Sequence, residues 1–236
     1  MEKLMEENNY GKLYIVATPI GNLEDISARA LRILGEVDVV LCEDTRVTKK
    51  LLDHYAITTK TISYHAHSDD NREQEIIEIL KEGKNLALVS DAGTPTISDP
   101  GVKLVESVRK ALPEAFISSL PGPSALMSAL SVSGISSAQF VFLGFLPHKK
   151  GRETLFKEIS ESKRTVAFYE SPHRIEKTLQ KLSEILDAQR NIVIARELTK
   201  IYEEVVFGSP EYVYNYFREH SDKVRGEFVV IVSEKK

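Results

Sequence analysis

From Leu13 to Val232 the chain alternates short runs of aliphatic and β-branched residues with longer amphipathic runs, and few folds accept that alternation. The strand candidates in the first half are Leu13–Thr18, Val37–Glu43, Thr61–His65, Leu86–Ser90 and Ala115–Leu120. The second half offers Phe140–Phe145, Thr165–Glu170, Asn191–Arg196, Glu204–Gly208 and Glu227–Val232. Runs such as LYIVA, LALV and FVVIV are continuously apolar. Strands buried on both faces read that way, and parallel sheets covered by helices require it. Between them lie helices with start signals. Asp99-Pro100 is expected to cap a helix carrying Val102, Val105 and Val108, and Ser171-Pro172 one carrying Ile175, Leu179, Leu182 and Leu186. Alternating elements predict an α/β fold with right-handed crossovers. The sequence PGPSA at Pro121–Ala125 interrupts the pattern before a second series begins. The expected division is therefore an N-terminal α/β domain over 1–122 and a C-terminal α/β domain over 123–236.

Composition removes several function classes. The 236 residues are 42% hydrophobic and 28% charged, an ordinary globular balance. The longest strongly apolar stretch, Phe140–Leu146, is too short to cross a bilayer. The opening MEKLMEENNY has no apolar segment of the kind a secretory leader needs. Cys42 is the only cysteine, which excludes an internal disulfide and a thiolate metal cluster and predicts a cytoplasmic home. The formal net charge of −4 gives no global attraction to nucleic acid, so any RNA contact must use a local basic patch.

In open parallel sheets, ligands sit beyond the carboxyl ends of the strands. The first such loop is ATPIGNLED, where Pro19 and Gly21 shape a turn and Asn22 and Asp25 follow; it is neither a dinucleotide fingerprint nor a P-loop. After the second strand, CEDTR places Glu43, Asp44 and Arg46 at a strand end, with Thr45 as the expected cap of a helix whose apolar face is Val47, Leu51 and Leu52. The fourth strand runs into SDAGTPTISDPG, where Asp91 can accept hydrogen bonds from ribose hydroxyls or an amino group and Gly93 permits close approach. LPGPSA brings Ser124 and Ala125 to a helix start that favours polar or anionic groups. HKKGR, with Lys149, Lys150 and Arg152, is the best local candidate for phosphate contact. His65 and His67, with Asp69 and Asp70 nearby, lack a clear third ligand, and no metal is expected.

LYIVATPIGNLEDI, VVLCEDTR, VSDAGTPTISDPG, LPGPSA, FYESPHR and RELTK together resemble, in order, the motifs of the bacterial small-subunit ribosomal-RNA cytidine 2′-O-methyltransferases, a branch of the tetrapyrrole methylase superfamily. The resemblance runs from about Leu13 to the end of the chain. It implies two α/β domains with S-adenosylmethionine held in a cleft between them, a homodimer, and a cytidine of the decoding region in the small ribosomal subunit as target. Many relatives carry a further C-terminal segment, whereas this sequence ends at Lys236. Carried onto this chain, the pattern assigns donor contacts to Asp91, Ala92, Gly93, Thr94, Ser124, Ala125, Tyr169, Glu170, Ala195 and Arg196. It assigns the acceptor side to Pro19, Asn22, Glu43, Asp44 and Arg46, with Arg46, Lys149, Lys150 and Arg152 on phosphates. Glu43 or Asp44 is the general-base candidate, provided that burial raises its pKa. Methylation of a small tetrapyrrole, or a donor-sensing module without catalysis, are the alternative readings.

Overall fold

A computed structural model describes residues 9–65 and 70–235, without the side chain of Asp70. All ten strand candidates are strands, most of them trimmed at an end. The chain forms two units that divide after Ser124, two residues beyond the expected break.

In the first unit the elements are β1 (Leu13–Val16), α1 (Ala28–Glu36), β2 (Val39–Cys42), α2 (Thr45–His54), β3 (Lys60–Ser63), α3 (Asp70–Lys81), β4 (Leu86–Leu88), α4 (Val102–Ala111) and β5 (Ile117–Leu120). The strands lie in the order β3-β2-β4-β1-β5, all parallel. Their apolar runs supply two cores because successive side chains point to opposite faces. Leu13, Ile15, Leu41, Leu86 and Leu88 pack with Ile76 and Leu80 of α3 and Leu104 and Val108 of α4. Val16, Val40, Ala87 and Val89 pack with Ile33 and Leu34 of α1 and Leu52 of α2. The order explains this division. From β1 the chain moves through α1 and α2 toward β3, then returns through α3 and α4 to β5. Right-handed crossovers place outward and returning helices on opposite faces. Neighbouring β1 and β4 therefore send their carboxyl-end loops to opposite sides, which makes their junction the switch point where such sheets bind ligands.

The second unit contains α5 (Ala125–Val132), β6 (Phe140–Phe145), α6 (Arg152–Glu161), β7 (Thr165–Glu170), α7 (Ile175–Ile185), β8 (Ile192–Arg196), β9 (Glu204–Gly208), α8 (Pro210–Glu219) and β10 (Phe228–Val232). Its strand order is β6-β7-β10-β8-β9. Only β6 and β7 pair in parallel; β10 runs antiparallel to β7 and β8, and β9 antiparallel to β8. The continuously apolar FVVIV is thus a central strand buried on both faces, yet not part of a parallel sheet. Burial on two faces, not strand direction, is what a continuous apolar run reports.

Several expected caps are corrected. Helix α4 starts at Val102 with Gly101, not Asp99, at its N-cap position. Gly101 has φ +122°, and a Cβ there would lie 2.6 Å from Leu88 Cδ2, so the turn is set by packing against β4. The buried face of α4 is Leu104 and Val108; Val102 is exposed. Helix α7 begins at Ile175, not after Ser171-Pro172, because the Ser171 carbonyl accepts from the amides of both Arg174 and Ile175 and closes a turn first. Helix α2 is capped by Asp44, whose Oδ1 accepts the Arg46 amide at 2.8 Å, and its buried face is Thr48 and Leu52, with Val47 exposed. The short 3-10 turn Leu23–Asp25 is capped by Asn22, and α1 by Ser27.

Two glycines separate packing from propensity. A Cβ on Gly11 would collide with the Lys84 carbonyl, whereas one on Gly35 in α1 meets nothing within 4 Å. Gly11→Ala is expected to cost about 1–3 kcal/mol through a backbone clash, and Gly35→Ala to add about 0.5–1 kcal/mol through helix propensity. Denaturant midpoints of the two variants should therefore move in opposite directions.

Candidate active site

The switch point is closed by a reciprocal pair of hydrogen bonds. Thr18 donates its amide to the Gly93 carbonyl at 2.9 Å, and Gly93 returns the bond at 3.0 Å. The Thr18 hydroxyl donates to the Ser90 carbonyl at 3.0 Å, and Ser90 Oγ donates to the Gly93 carbonyl at 3.2 Å. Thr18, Ser90 and Gly93 are buried. Gly93 holds φ +81°, with Ile20 Cγ2 3.4 Å from where a Cβ would stand. The Thr94 hydroxyl donates to the Pro123 carbonyl at 3.0 Å, tying the loop after β4 to the one after β5. The amide of Asp44 donates to Asp91 Oδ1 at 3.3 Å, tying in the loop after β2. Four strand-end loops are thus joined around Asp91–Thr94.

Farther along the β4 loop, Thr96 and Ser98 take φ +74° and +66°. Side-chain-bearing residues reach that region at a cost of order 1–3 kcal/mol each, and such strain concentrates at functional sites. The sequence shows the glycine and prolines of this loop but not these two residues, nor the locking roles of Thr18 and Ser90; hydroxyls immediately past two apolar runs were the available signal.

Of the residues expected on the first unit, Pro19 is buried in the β1 loop, and Asn22 is exposed with its side chain accepting the Glu24 amide. Asp91 and Ala92 are exposed, and Thr94 and Ser124 are half-buried. Glu43 is exposed. Asp44 does not meet the condition placed on a general base. Its carboxylate binds Arg46 through the backbone amide, through Nε at 3.0 Å and through Nη2 at 2.6 Å. The Arg46 contacts hold it down from the ordinary 3.8 to about 2, the direction opposite to a base. Any stability that Asp44 contributes by this route is present above pH 3.8 and is lost as pH falls toward about 2.

In the second unit, Glu170, Phe228, Arg196 and Glu204 form one row across β7, β10, β8 and β9. Glu170 is fully buried. It accepts from Arg152 Nη2 at 3.1 Å, Thr178 Oγ1 at 2.8 Å and the Ser171 amide at 2.9 Å, and is ion-paired with Arg174, whose Nε lies 2.8 Å away and donates to Ser171 Oγ. Arg152 also donates to the Pro147 carbonyl and Thr178, and Arg174 to the Leu146 carbonyl. These bonds correct two expectations. Arg152 faces inward and does not join Lys149 and Lys150, which stay exposed before α6; Glu170 has its acceptor capacity taken up by the protein. Arg196, buried, reaches Glu204 at 3.3 Å, and Glu204 also receives Tyr216 and Lys223. Arg196 Nε is buried without a partner among the described residues. Ala195 is buried beside it, and the Tyr169 ring lies 5.0 Å from Phe142 and 5.3 Å from Phe145. Ala125 is the first residue of α5. Among the described residues no group of three or more potential ligands is placed to hold a metal ion; His67 and Asp69 lie outside them.

Comparison with known proteins follows the same outline. The family model for Tetrapyrrole (Corrin/Porphyrin) Methylases matches residues 12–211. A Halalkalibacterium halodurans protein named Ribosomal RNA small subunit methyltransferase I is 46% identical over 233 residues, 98% of this chain and 78% of that one. The protein of the same name from Thermotoga maritima is 46% identical over 225 residues, 95% of this chain and 99% of that one. Among solved structures, cobalt precorrin-4 methyltransferase superposes with TM-score 0.67 at 16% identity, covering 98% of both chains. Uroporphyrin-III-C-methyltransferase from Thermus thermophilus superposes with TM-score 0.64 at 17% identity, covering 94% of both chains. At those identities the structures establish the fold alone.

The Glu170 network yields a test of scaffold against ligand. Removing one partner of a buried ion pair typically costs about 3–5 kcal/mol, so Glu170→Gln should lower unfolding free energy by roughly that order, measured in urea. A variant as stable as the parent that no longer binds the methyl donor would make Glu170 a ligand instead.

Proposed function

The chain belongs to the tetrapyrrole methylase family, and from that premise we propose that it methylates the ribose 2′-oxygen of a cytidine in small-subunit ribosomal RNA, using S-adenosylmethionine. The observation that carries this reading is the shared name of relatives 44–47% identical across at least 93% of the chain. Likeness to enzymes of tetrapyrrole chemistry stands at 16–20% identity and speaks only to fold, so the small-molecule alternative has the weaker support.

The residues at the switch point suit the donor. Asp91 uses Oδ1 for the Asp44 amide, and Oδ2 has no partner among the described residues, so a carboxylate oxygen is left for a hydroxyl or amino group. The buried Gly93, locked to Thr18, keeps the loop backbone within reach of a ligand. When bound, the donor supplies a methyl group already activated on a sulfonium. The chain's own work is to orient the ribose and accept its proton. Asp91, Ala92, Gly93, Thr94 and Ser124 are the proposed donor contacts on the first unit, and Ala125, Tyr169, Ala195 and Arg196 those on the second. Pro19 and Asn22 border the acceptor, and Arg46, Lys149 and Lys150 meet phosphates. Glu43 is the proposed proton acceptor, because the Asp44 carboxylate is occupied by Arg46 and the α2 cap; Glu43 is exposed, so the bound substrate would have to supply the burial that the role requires. The proposal includes a cytoplasmic homodimer. No helix among the described residues is long and apolar enough to cross a membrane. Edge strand β9 leaves Val205 and Phe207 exposed, the kind of apolar surface that a second copy covers.

The direct test incubates the protein and labelled donor with small subunits from a strain lacking this methylation, then maps ribose methyl groups. A new 2′-O-methylcytidine is the expected product; its absence, with donor binding intact, would refute the substrate. Asp91→Ala should weaken donor binding by about 1.5–3 kcal/mol, the usual loss for a charged acceptor, with little change in melting. Early melting with normal donor affinity would make Asp91 a structural residue.

A further inference from the structure

We infer that the outward face of α2, carried by Arg46, Lys49 and Lys50, is a binding surface for the phosphodiester backbone of the RNA substrate. This rests on the reading that the substrate is RNA, and extends the phosphate contact proposed for Arg46 to Lys49 and Lys50, which none of the motifs includes.

The face follows from spacing. Thr48 and Leu52 are the buried residues of α2, one turn apart. Arg46, Lys49 and Lys50 stand at i, i+3 and i+4 on the other side and are all exposed. Residues so spaced are surface neighbours. Asp53, at i+7, ends the stripe. Elsewhere in this unit, helix cations are mostly held against carboxylates: Arg72 by Glu75, Lys81 by Glu78, Lys103 by Glu73 and Lys110 by Glu106. Lys49 and Lys50 have no carboxylate within ion-pair distance among the described residues, although Asp53 lies within their helical reach.

Local helix energetics does not explain the stripe. Like charges at i, i+3 and i, i+4 disfavour a helix, and Arg46 in the first turn opposes the macrodipole. The first turn of α2 carries no acidic residue, and Asp44 supplies only the cap and a partner for Arg46. A sequence that sets local preference aside at such a place does so most often where function requires it. The location supplies the reason. Helix α2 starts at the carboxyl end of β2, and the Asp44 amide at its cap donates to Asp91 in the switch-point loop. The stripe thus begins at the candidate site and runs away from it along the helix. From Arg46 to Lys50 it advances about 6 Å at 1.5 Å per residue. The extended, solvent-exposed ammonium groups of the two lysines suit nonspecific phosphate contact, which positions a nucleic acid without reading its bases.

The test compares the parent with Lys49→Ala/Lys50→Ala and with Lys49→Arg/Lys50→Arg. Binding to assembled small subunits is measured across a salt series, beside donor affinity and melting temperature. Each phosphate contact contributes close to one unit to the salt slope. The alanine pair should flatten the slope by about two units, with donor affinity and melting unchanged, and the arginine pair should restore it. An unaltered slope in the alanine pair, while the parent binds and methylates the particle, overturns the inference and leaves the RNA reading standing. Weaker binding with an unaltered slope also overturns it, because the lysines would then meet a ribosomal protein. A parent that binds no RNA removes both.

Discussion

The reciprocal hydrogen bonds between Thr18 and Gly93 are what the rest of the site depends on. They form because β1 and β4 are neighbours in an all-parallel sheet, although 75 residues separate the two partners. Adjacent parallel strands whose loops depart to opposite faces leave backbone groups without helical partners at the junction. Here those groups satisfy one another, and the hydroxyls of Thr18 and Ser90 complete the set. Buried backbone donors and acceptors are costly to leave unpaired. The lock therefore pins the β4 loop at its root and allows Thr96 and Ser98 to persist at positive φ farther along. A loop so constrained presents Asp91 and Ala92 in one arrangement, and preorganisation of that kind lowers the entropy lost on binding.

The second unit reaches a similar end by ionic means. Glu170 draws Arg152 and Arg174 onto itself, and through them fixes the Pro147 and Leu146 carbonyls at the end of β6. Glu204 does the same for Arg196 and Lys223 on the neighbouring half of the row. Each carboxylate holds two cations beside the carboxyl ends of β7 and β8. Burying a guanidinium is tolerable only when hydrogen bonds replace its lost hydration. The bonds that Arg152 donates to Glu170, Thr178 and the Pro147 carbonyl, and that Arg174 donates to Ser171 and the Leu146 carbonyl, meet that requirement there. They also explain how one short motif, HKKGR, divides its labour: the arginine anchors the segment inward and the two lysines remain in solvent.

The sequence made the architecture legible because burial on two faces leaves a direct trace. Every continuously apolar run is a strand, and α7 buries Ile175, Leu179 and Leu182, with Leu186 buried just past its end. Strand direction left no such trace: FVVIV is as apolar as LYIVA and yet lies antiparallel to both neighbours. Helix starts depart from the local signal where another contact decides them. Asp99-Pro100 has the form of a helix start, but Gly101 against Leu88 determines where α4 begins. In the candidate site, residue types pointed to the right loops and not to the state of each side chain. The position of Asp44 at a strand end suited a base, and only its geometry reveals that Arg46 and the helix cap occupy its oxygens. The pairing of Arg152 with Glu170 spans 18 residues and follows no period that a sequence displays.

A net charge of −4 and an RNA substrate are compatible once charge is considered by position. Counterion release scales with the phosphates a protein neutralises, and it acts on any RNA within reach. An acidic chain gains little from arbitrary RNA, which in the proposed reading limits capture by the many strands that are not substrate. In the proposed reading, Lys149 and Lys150 beside β6, and Arg46, Lys49 and Lys50 along α2, contribute when a substrate lies across them in the correct orientation. Elsewhere a number of cations are matched within the fold, as in the pairs Arg32–Glu36, Lys84–Glu82 and Lys110–Glu106. Exposed pairs of that sort contribute little to stability. In the proposed reading their electrostatic effect is to lower the positive potential around them, and what distinguishes the lysines of α2 is their place beside the switch-point loop. Specificity for one nucleotide in a large particle is then a matter of fitting several weak contacts at once, with the ribose carried to the switch point by the geometry of the whole particle.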